Sequence, residues 1–389
     1  MRIGIIGTGV AGSLLAESLL GTPGVTVAAF ERAQIGEQAE AGTGLNLGPN
    51  AAKALRLHLP ERHAALRAAS LDWRRWQVAL TDGTPLLDLD LLELAEEPGL
   101  RIRWSELYRL LRAPVAGCTQ HGHALEAIEE DAVGRLVPVF RVRHALLRYG
   151  GFDLLVGADG RYSQTRALTA GEPEASLLGV CVWRLLVTAA EDCPFDDYTQ
   201  WFQGNARLLA FRVPGGAVYI AGTFPLGADG EMPEAARSRD FQRALFTPEG
   251  AEPCPAVAWM LAAIERQFEE IHWARSATIP LLRSAAAGRV LLLGDAAQAM
   301  VPTLGQGATQ AVEDGVIAGA VLAAGGNVAA ARDARVNFVR QFSEEASDTL
   351  HPGTDPVAGT RAKDGPAFRA KLRRLYTDVP APSPRPIEE

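Results

Sequence analysis

A chain of 389 residues exceeds what one hydrophobic core usually fills, which excludes a single small domain. Hydrophobic residues at 48% and charged residues at 22% exclude a disordered or fibrous protein. The net charge of -8 argues against nucleic acid as a partner, because phosphate binding needs clustered Lys and Arg.

Arg2 to Ile6 is a short apolar run that predicts a strand, residues 10 to 20 carry Val, Ala and Leu at helical spacing, and Val25 to Phe30 predicts a second strand after the Thr22-Pro23-Gly24 breaker. Glu17 interrupts the N-terminal apolar run, so the segment reads as a βαβ unit rather than a secretory leader. No other window holds the roughly 18 uninterrupted apolar residues needed to span a bilayer. The four cysteines, Cys118, Cys181, Cys193 and Cys254, show no CxxC or zinc-ligand spacing. Free thiols, a cytoplasmic location, no membrane partner and no metal are the expectation.

Further along, Trp73 to Leu80 and Pro85 to Leu89 flank Thr81-Asp82-Gly83-Thr84 and predict a hairpin. Residues 105 to 112 predict a helix, Leu125 to Ile128 and Leu136 to Val142 predict strands, and Phe152 to Val156 a buried one. The stretch Gly179 to Phe224 is β-rich, with strands predicted at Val180 to Leu185, Tyr198 to Phe202, Arg207 to Val213 and Ala217 to Phe224. Residues 256 to 270 predict a helix, Val290 to Leu293 a buried strand, and about Ala308 to Ala324 a long Ala-rich helix. The proline-rich tail from Asp378 is expected to be mobile.

Three segments carry chemistry. Gly7-Thr8-Gly9-Val10-Ala11-Gly12 lies between the first strand and the first helix. Gly7 permits a tight turn, Gly9 lets the backbone approach a pyrophosphate, and Gly12 lets the helix pack closely, with Val10 and Ala11 opening the helix whose free N–H groups suit phosphate. Glu31, at the end of the second strand, stands where an acidic side chain accepts hydrogen bonds from a ribose. NAD and FAD both fit this motif alone. The second segment, Leu154 to Gly160, is a buried strand ending in Asp159-Gly160, with Ser163 and Arg166 following. The third, Leu291 to Gln298, is a strand running into Gly294-Asp295-Ala296-Ala297, followed by Pro302, Gly305, Gln306 and Gly307, and by a helix bearing Glu313 and Asp314.

In this order and at these separations, the three motifs resemble the FAD-dependent aromatic hydroxylases typified by p-hydroxybenzoate and salicylate hydroxylase, from Arg2 to about Ala324. The resemblance implies that Asp159-Gly160 serves FAD and the nicotinamide cofactor, that Asp295 binds the ribitol hydroxyls, and that Gly305, Gln306, Gly307 and Ala308 form the helix start beneath the flavin pyrimidine ring. A helix N-terminus there suits the negative charge of a reduced flavin. Glu31 with Arg32, and the stretch Gly42 to Asn50 containing Gly44 and Leu45, also look like family segments, the second running past the isoalloxazine. Pro302 belongs to the same cofactor set. Two departures stand out. Relatives carry His where this chain has Gln298, and a flavin-contacting arginine near position 104, where this chain has Arg103-Trp104. Arg103 is the nearest substitute, while Arg109 reads equally as a surface charge.

The resemblance implies an α/β fold: a Rossmann-like, discontinuous FAD-binding domain over 1–70, 97–175 and 281–340, with an inserted β-rich substrate domain over 71–96 and 176–280. The C-terminal segment 341–389 is then a helix with the mobile tail. It implies a monooxygenase that takes NADH or NADPH as transient reductant and dioxygen as co-substrate, and that hydroxylates an electron-rich aromatic or N-heteroaromatic hydroxy acid through a C4a-hydroperoxyflavin, as a monomer or homodimer. Asn46, Gln200, Phe202, Arg212, Tyr219 and Gln298 are the polar or aromatic candidates for the substrate pocket. No histidine sits in a motif that nominates a general base, so no catalytic residue is assigned. Two rivals remain. A flavin-dependent halogenase or reductase shares the fold, but no tryptophan-rich signature surrounds Trp183 or Trp201. A flavin-binding redox protein without hydroxylase turnover is invited only by Gln298.

Overall fold

The computed structural model describes residues 1–37, 43–226, 230–350 and 353–382, leaving out the Arg275 side chain; Gly42 and the tail from residue 383 lie outside the described residues. A six-stranded sheet has the order Ser284–Ala285, Val290–Leu292, Leu154–Gly157, Arg2–Ile6, Thr26–Glu31, Thr119–His121. Four of its five pairings are parallel, with Ile5 opposite both Val156 and Ala29, and the edge pair Ser284–Ala285 with Val290–Leu292 is antiparallel. Parallel strands are buried on both faces, which is why these segments read as continuous Ile, Val and Leu. Three of these strands end at one edge of the sheet, and each of the three sequence motifs begins where one of them stops. That edge is the crevice where open α/β sheets take their ligands. The helices Val10–Leu19 and Gln306–Ala323 pack against one another across it. They touch at backbone distance: a Cβ on Gly315 would stand 2.7 Å from the Ala11 carbonyl oxygen.

The second layer is a seven-stranded sheet, ordered His272–Thr278, Ser176–Val187, Ala217–Pro225, Ala206–Val213, Thr199–Gln203, Arg75–Leu80, Pro85–Asp90. Strand alternation divides its side chains cleanly. Cys181, Trp183, Leu185, Leu208, Ala210, Val218 and Ile220 face the helices Arg239–Phe246 and Pro255–Arg266 and form one core with Phe246, Val257 and Met260. Phe211, Val213, Tyr219 and Ala221 point the other way, against Leu304 and the C-terminal helices. Trp183 occupies the room left by Gly222, whose added Cβ would fall 2.1 Å from the indole, and its Nε1 donates to Gln242 at 2.9 Å. Gly222→Ala is therefore expected to destabilise the fold by about 1–3 kcal/mol, as overpacking does. An unchanged denaturant midpoint would show that Trp183 has another place to go.

The structure corrects several boundaries. The hairpin is Arg75–Leu80 with Pro85–Asp90, while Trp73 belongs to Leu71–Trp73, which pairs with Gly99–Arg103 in a separate three-stranded sheet. The break has a cause: the Asp197 carboxylate accepts from the backbone N–H groups of both Arg74 and Arg75. The helix expected over 256–270 ends at Arg266. The expected single C-terminal helix is two, Pro356–Ala362 and Pro366–Thr377, and the preceding helix Val328–Glu345 runs across the 340/341 boundary. These helices are no appendage. Phe342, Leu350, Phe368, Leu372 and Tyr376 complete the core on the inner face of the seven-stranded sheet.

Candidate active site

The fingerprint turn is shaped as its glycines require. Gly7 has φ +94° and donates its N–H to the Phe30 carbonyl at 2.7 Å, and a Cβ on Gly12 would lie 1.9 Å from the Gly7 carbonyl oxygen. A Cβ on Gly9 would meet nothing closer than 4.0 Å, so its backbone faces open space at the helix start. That space is a cavity of about 480 Å³ between the two sheets. The fingerprint supplies Gly9, Val10 and Ala11, and the neighbouring strand Gly44–Leu47 supplies Gly44, Leu45 and Asn46. Asp295, Pro302, Gly305, Gly307 and Ala308 come from the third motif. Gly305 sits at φ +65° as the cap of the helix Gln306–Ala323, and a Cβ on Gly307 would meet nothing within 4 Å. The helix start thus opens onto the cavity as an anion-favouring end.

Asp295 lies in the wall without a hydrogen-bond partner among the described residues. Burial pushes its carboxyl up to about 6, with Arg161 opposing and Asp314 adding to the rise. The sign follows. A carboxyl with a raised folded-state pKa contributes stability that is complete below pH 4 and lost as pH climbs through about 6. Asp295→Asn is therefore expected to stabilise the cofactor-free protein at pH 7.5 by about 1–2 kcal/mol, a difference that closes near pH 4. The resemblance gives Asp295 to the ribitol hydroxyls, and on that expectation the same variant binds the flavin more weakly. Melting curves across pH and a flavin titration check both halves; a parallel loss of stability at every pH would overturn the account.

Other expected residues lie elsewhere. Glu31 is buried at the end of its strand, where it accepts from the Thr8 N–H at 2.9 Å and the Ala33 N–H at 3.0 Å and pairs with Arg112 at 3.4 Å. Arg32 beside it is exposed. Asp159 stays in the second motif, but its carboxylate is taken by Ser163 Oγ and by the Thr165 N–H and hydroxyl, so Ala158, Gly160 and Arg161 face the cavity instead. Trp104, not Arg103, lines the cavity, and Arg109 is a surface charge paired with Glu106. The Gln306 side chain turns inward to Asn50 and Gln310.

Of the substrate-pocket candidates, Asn46 and Tyr219 line the cavity. Phe202 lies in the apolar cluster with Trp76 and Phe211, and Gln298 is buried away from the cavity. Arg212 is on the opposite face of its strand, donating to the carbonyls of Phe195 and Cys193. Gln200 is buried on the same face as Tyr198 without lining the cavity itself, and donates to the Tyr198 hydroxyl at 2.6 Å. The wall instead includes Tyr198, Arg207 and, at its edge, the exposed Arg184. The register Arg207↔Thr223, Leu209↔Ala221, Phe211↔Tyr219 puts all six side chains on one face. Counting alternate residues from Tyr219 across that pairing would have selected Arg207 over Arg212, but the pairing is not visible in the sequence.

Arg207 is the unusual group. It is 5% exposed, meets no carboxylate among the described residues, and its Nε has no acceptor. Burial lowers its pKa, with the phenols Tyr198 and Tyr219 beside it.

A glycine cradle at the edge of a parallel sheet, a helix start and a carboxyl lining one cavity beneath a second sheet define a dinucleotide-binding protein. Residues 151–335 match the family model described as an FAD binding domain. The chain is 31% identical to 3-amino-4-hydroxybenzoate 2-monooxygenase of Streptomyces platensis, over 97% of this chain and 92% of that protein. It is 30% identical to the FAD-dependent urate hydroxylase of Klebsiella pneumoniae, over 85% and 84%. The crystal structure of Klebsiella pneumoniae HpxO complexed with FAD and uric acid superposes with a TM-score of 0.75 at 25% identity, covering 96% of this chain and 93% of that one. The chain belongs to the FAD-dependent aromatic hydroxylases, and its cofactor is FAD. Among the described residues, no helix is long and apolar enough to cross a membrane.

Proposed function

We propose that this protein is an NAD(P)H- and dioxygen-dependent monooxygenase that hydroxylates an electron-rich aromatic or N-heteroaromatic ring bearing an acidic group. The observation that carries the acidic group is Arg207, a buried cation lining the cavity with no counter-ion among the described residues. A charge left so is costly unless a ligand supplies the partner. Bound FAD supplies the redox chemistry that activates dioxygen. The chain's own work is binding, orientation and exclusion of water. Gly9, Val10 and Ala11 present the helix start to the pyrophosphate, Asp295 takes the ribityl chain, and Gly305 to Ala308 set a second helix start against the flavin. Arg207 holds the anionic end of the ring, with Tyr198 and Tyr219 beside it, while Leu209 and Ala221 give it apolar walls. We assign 1–70, 97–175 and 281–340 to the cofactor unit and 71–96 with 176–280 to the substrate unit, except that Leu71–Trp73 pairs back onto Gly99–Arg103.

The test is turnover. FAD-loaded protein is mixed with NADH or NADPH and a panel of 3-amino-4-hydroxybenzoate, salicylate, 6-hydroxynicotinate and urate. At least one is expected to accelerate reductant oxidation and to gain one hydroxyl group. Flavin reduction with no product from any ring acid would favour the non-hydroxylating flavoprotein instead.

A further inference from the structure

Tyr198 is held on every side except one. Its ring lies between Trp73, with centroids 5.1 Å apart, and Phe211, stacked at 6.0 Å, so only the torsion of its O–H bond remains free. Gln200, two residues on and on the same face of the strand, donates its amide N–H to the Tyr198 oxygen at 2.6 Å. An oxygen that already receives a hydrogen from that side turns its own hydrogen elsewhere. Among the described residues no acceptor meets that hydrogen, and the Tyr198 side chain borders the cavity. Arg207 borders the same cavity with its own donor unused. Two buried donors without acceptors therefore stand at one end of the pocket.

We propose that Gln200 is a positioning residue that fixes Tyr198 as a hydrogen-bond donor into the cavity, so that the site selects a ring carboxylate over the carboxamide of the same ring. This rests on the reading of Arg207 as the anchor of an acidic substrate. A carboxylate offers two acceptor oxygens to two donors. A carboxamide offers one, and turns its NH2 hydrogens against the other donor, leaving a buried group unpaired.

The experiment is binding to the FAD-loaded protein without reductant, read from the flavin absorbance, with salicylate against salicylamide and 6-hydroxynicotinate against its carboxamide. Gln200→Met keeps side-chain volume and removes the donor. It is expected to weaken acid binding about tenfold while leaving the amide unchanged, the size of one hydrogen bond to a charged group. Tyr198→Phe should do the same, and adding Gln200→Met to it should cost nothing further, because both act through one hydrogen bond. Equal losses for acid and amide, or losses that add in the double variant, overturn the proposal. If Gln200→Met does not fold, Tyr198→Phe decides alone, since it keeps the clamped ring: an unchanged acid-to-amide ratio refutes the donor. Binding of neither acid in the unaltered holoenzyme refutes the parent reading, and this one with it. Acid binding that persists unchanged in all variants refutes both the Tyr198 donor and the role of Gln200, and leaves the reading of Arg207 standing.

Discussion

Arg207→Met is expected to weaken binding of an aromatic acid by roughly thirtyfold or more, the effect of removing one partner of a buried charge pair at about 2–5 kcal/mol. The substrate-free protein should at the same time become more stable. In the free state the guanidinium is buried with no carboxylate among the described residues, and Lys363, itself buried, adds a second positive charge within electrostatic reach. An apolar side chain of similar length removes that cost, for a gain of about 1–3 kcal/mol. FAD affinity should not move, because the cradle for the dinucleotide lies at the edge of the other sheet. A flavin titration, an acid titration and a melting curve on one preparation test the three statements. A loss of stability would mean that Arg207 has a structural partner and that its exposure to the cavity is incidental.

Arg332→Met is expected to do the reverse, costing about 3–5 kcal/mol of stability, as breaking a buried ion pair does. Arg332 is fully buried in the helix Val328–Glu345, where it donates to Glu313 at 2.7 Å, Asp314 at 2.9 Å and the Gln310 side chain at 2.7 Å. Burial alone would raise the Glu313 carboxyl, but Arg335 and Arg332 overcome it and hold it at about 2. Asp314 is likewise held below the usual range, against its burial, by Arg283 and Arg332. Carboxyls with depressed folded-state pKa values give stability that is complete above about pH 4.5 and lost as pH falls toward 2. Wild-type protein should therefore show a steep acid transition in that window, and Arg332→Met a shallower one. The effect reaches the cofactor site, because the other Asp314 oxygen accepts from the Gly294 N–H at 2.9 Å and from Arg283 at 2.8 Å. Gly294 precedes Asp295, so weaker FAD binding should accompany the loss of stability. Unfolding midpoints at pH 7 and pH 3 for both proteins settle the prediction; equal pH profiles would count against it.

The cofactor end of the molecule was legible in the amino-acid order and the substrate end was not, for a physical reason. Gly7, Gly9 and Gly12 each answer a demand made by the backbone within a few residues: a positive φ, an open approach and a close helix contact. Such demands are local, and a strand–turn–helix segment carries them in its own sequence. The glycine motif therefore announced a dinucleotide, the resemblance of the three motifs to the aromatic hydroxylases implied FAD, and their placement at the ends of parallel strands followed from the burial of Ile, Val and Leu. Which side chains face the ring depends on how strands far apart in sequence pair and on which face another layer covers. Arg207 and Arg212 are equivalent on paper, yet the first lines the cavity and the second binds loop carbonyls on the opposite face. Asp159 and Gln306 match their motifs in identity, while their side chains are drawn to partners that only the folded chain brings near. The C-terminal helices show the same limit. Their apolar residues acquire meaning only once Phe342, Phe368 and Tyr376 meet the inner face of the seven-stranded sheet. Local backbone requirements are written in neighbouring residues, whereas side-chain direction and burial are set by long-range packing, which tertiary structure alone decides.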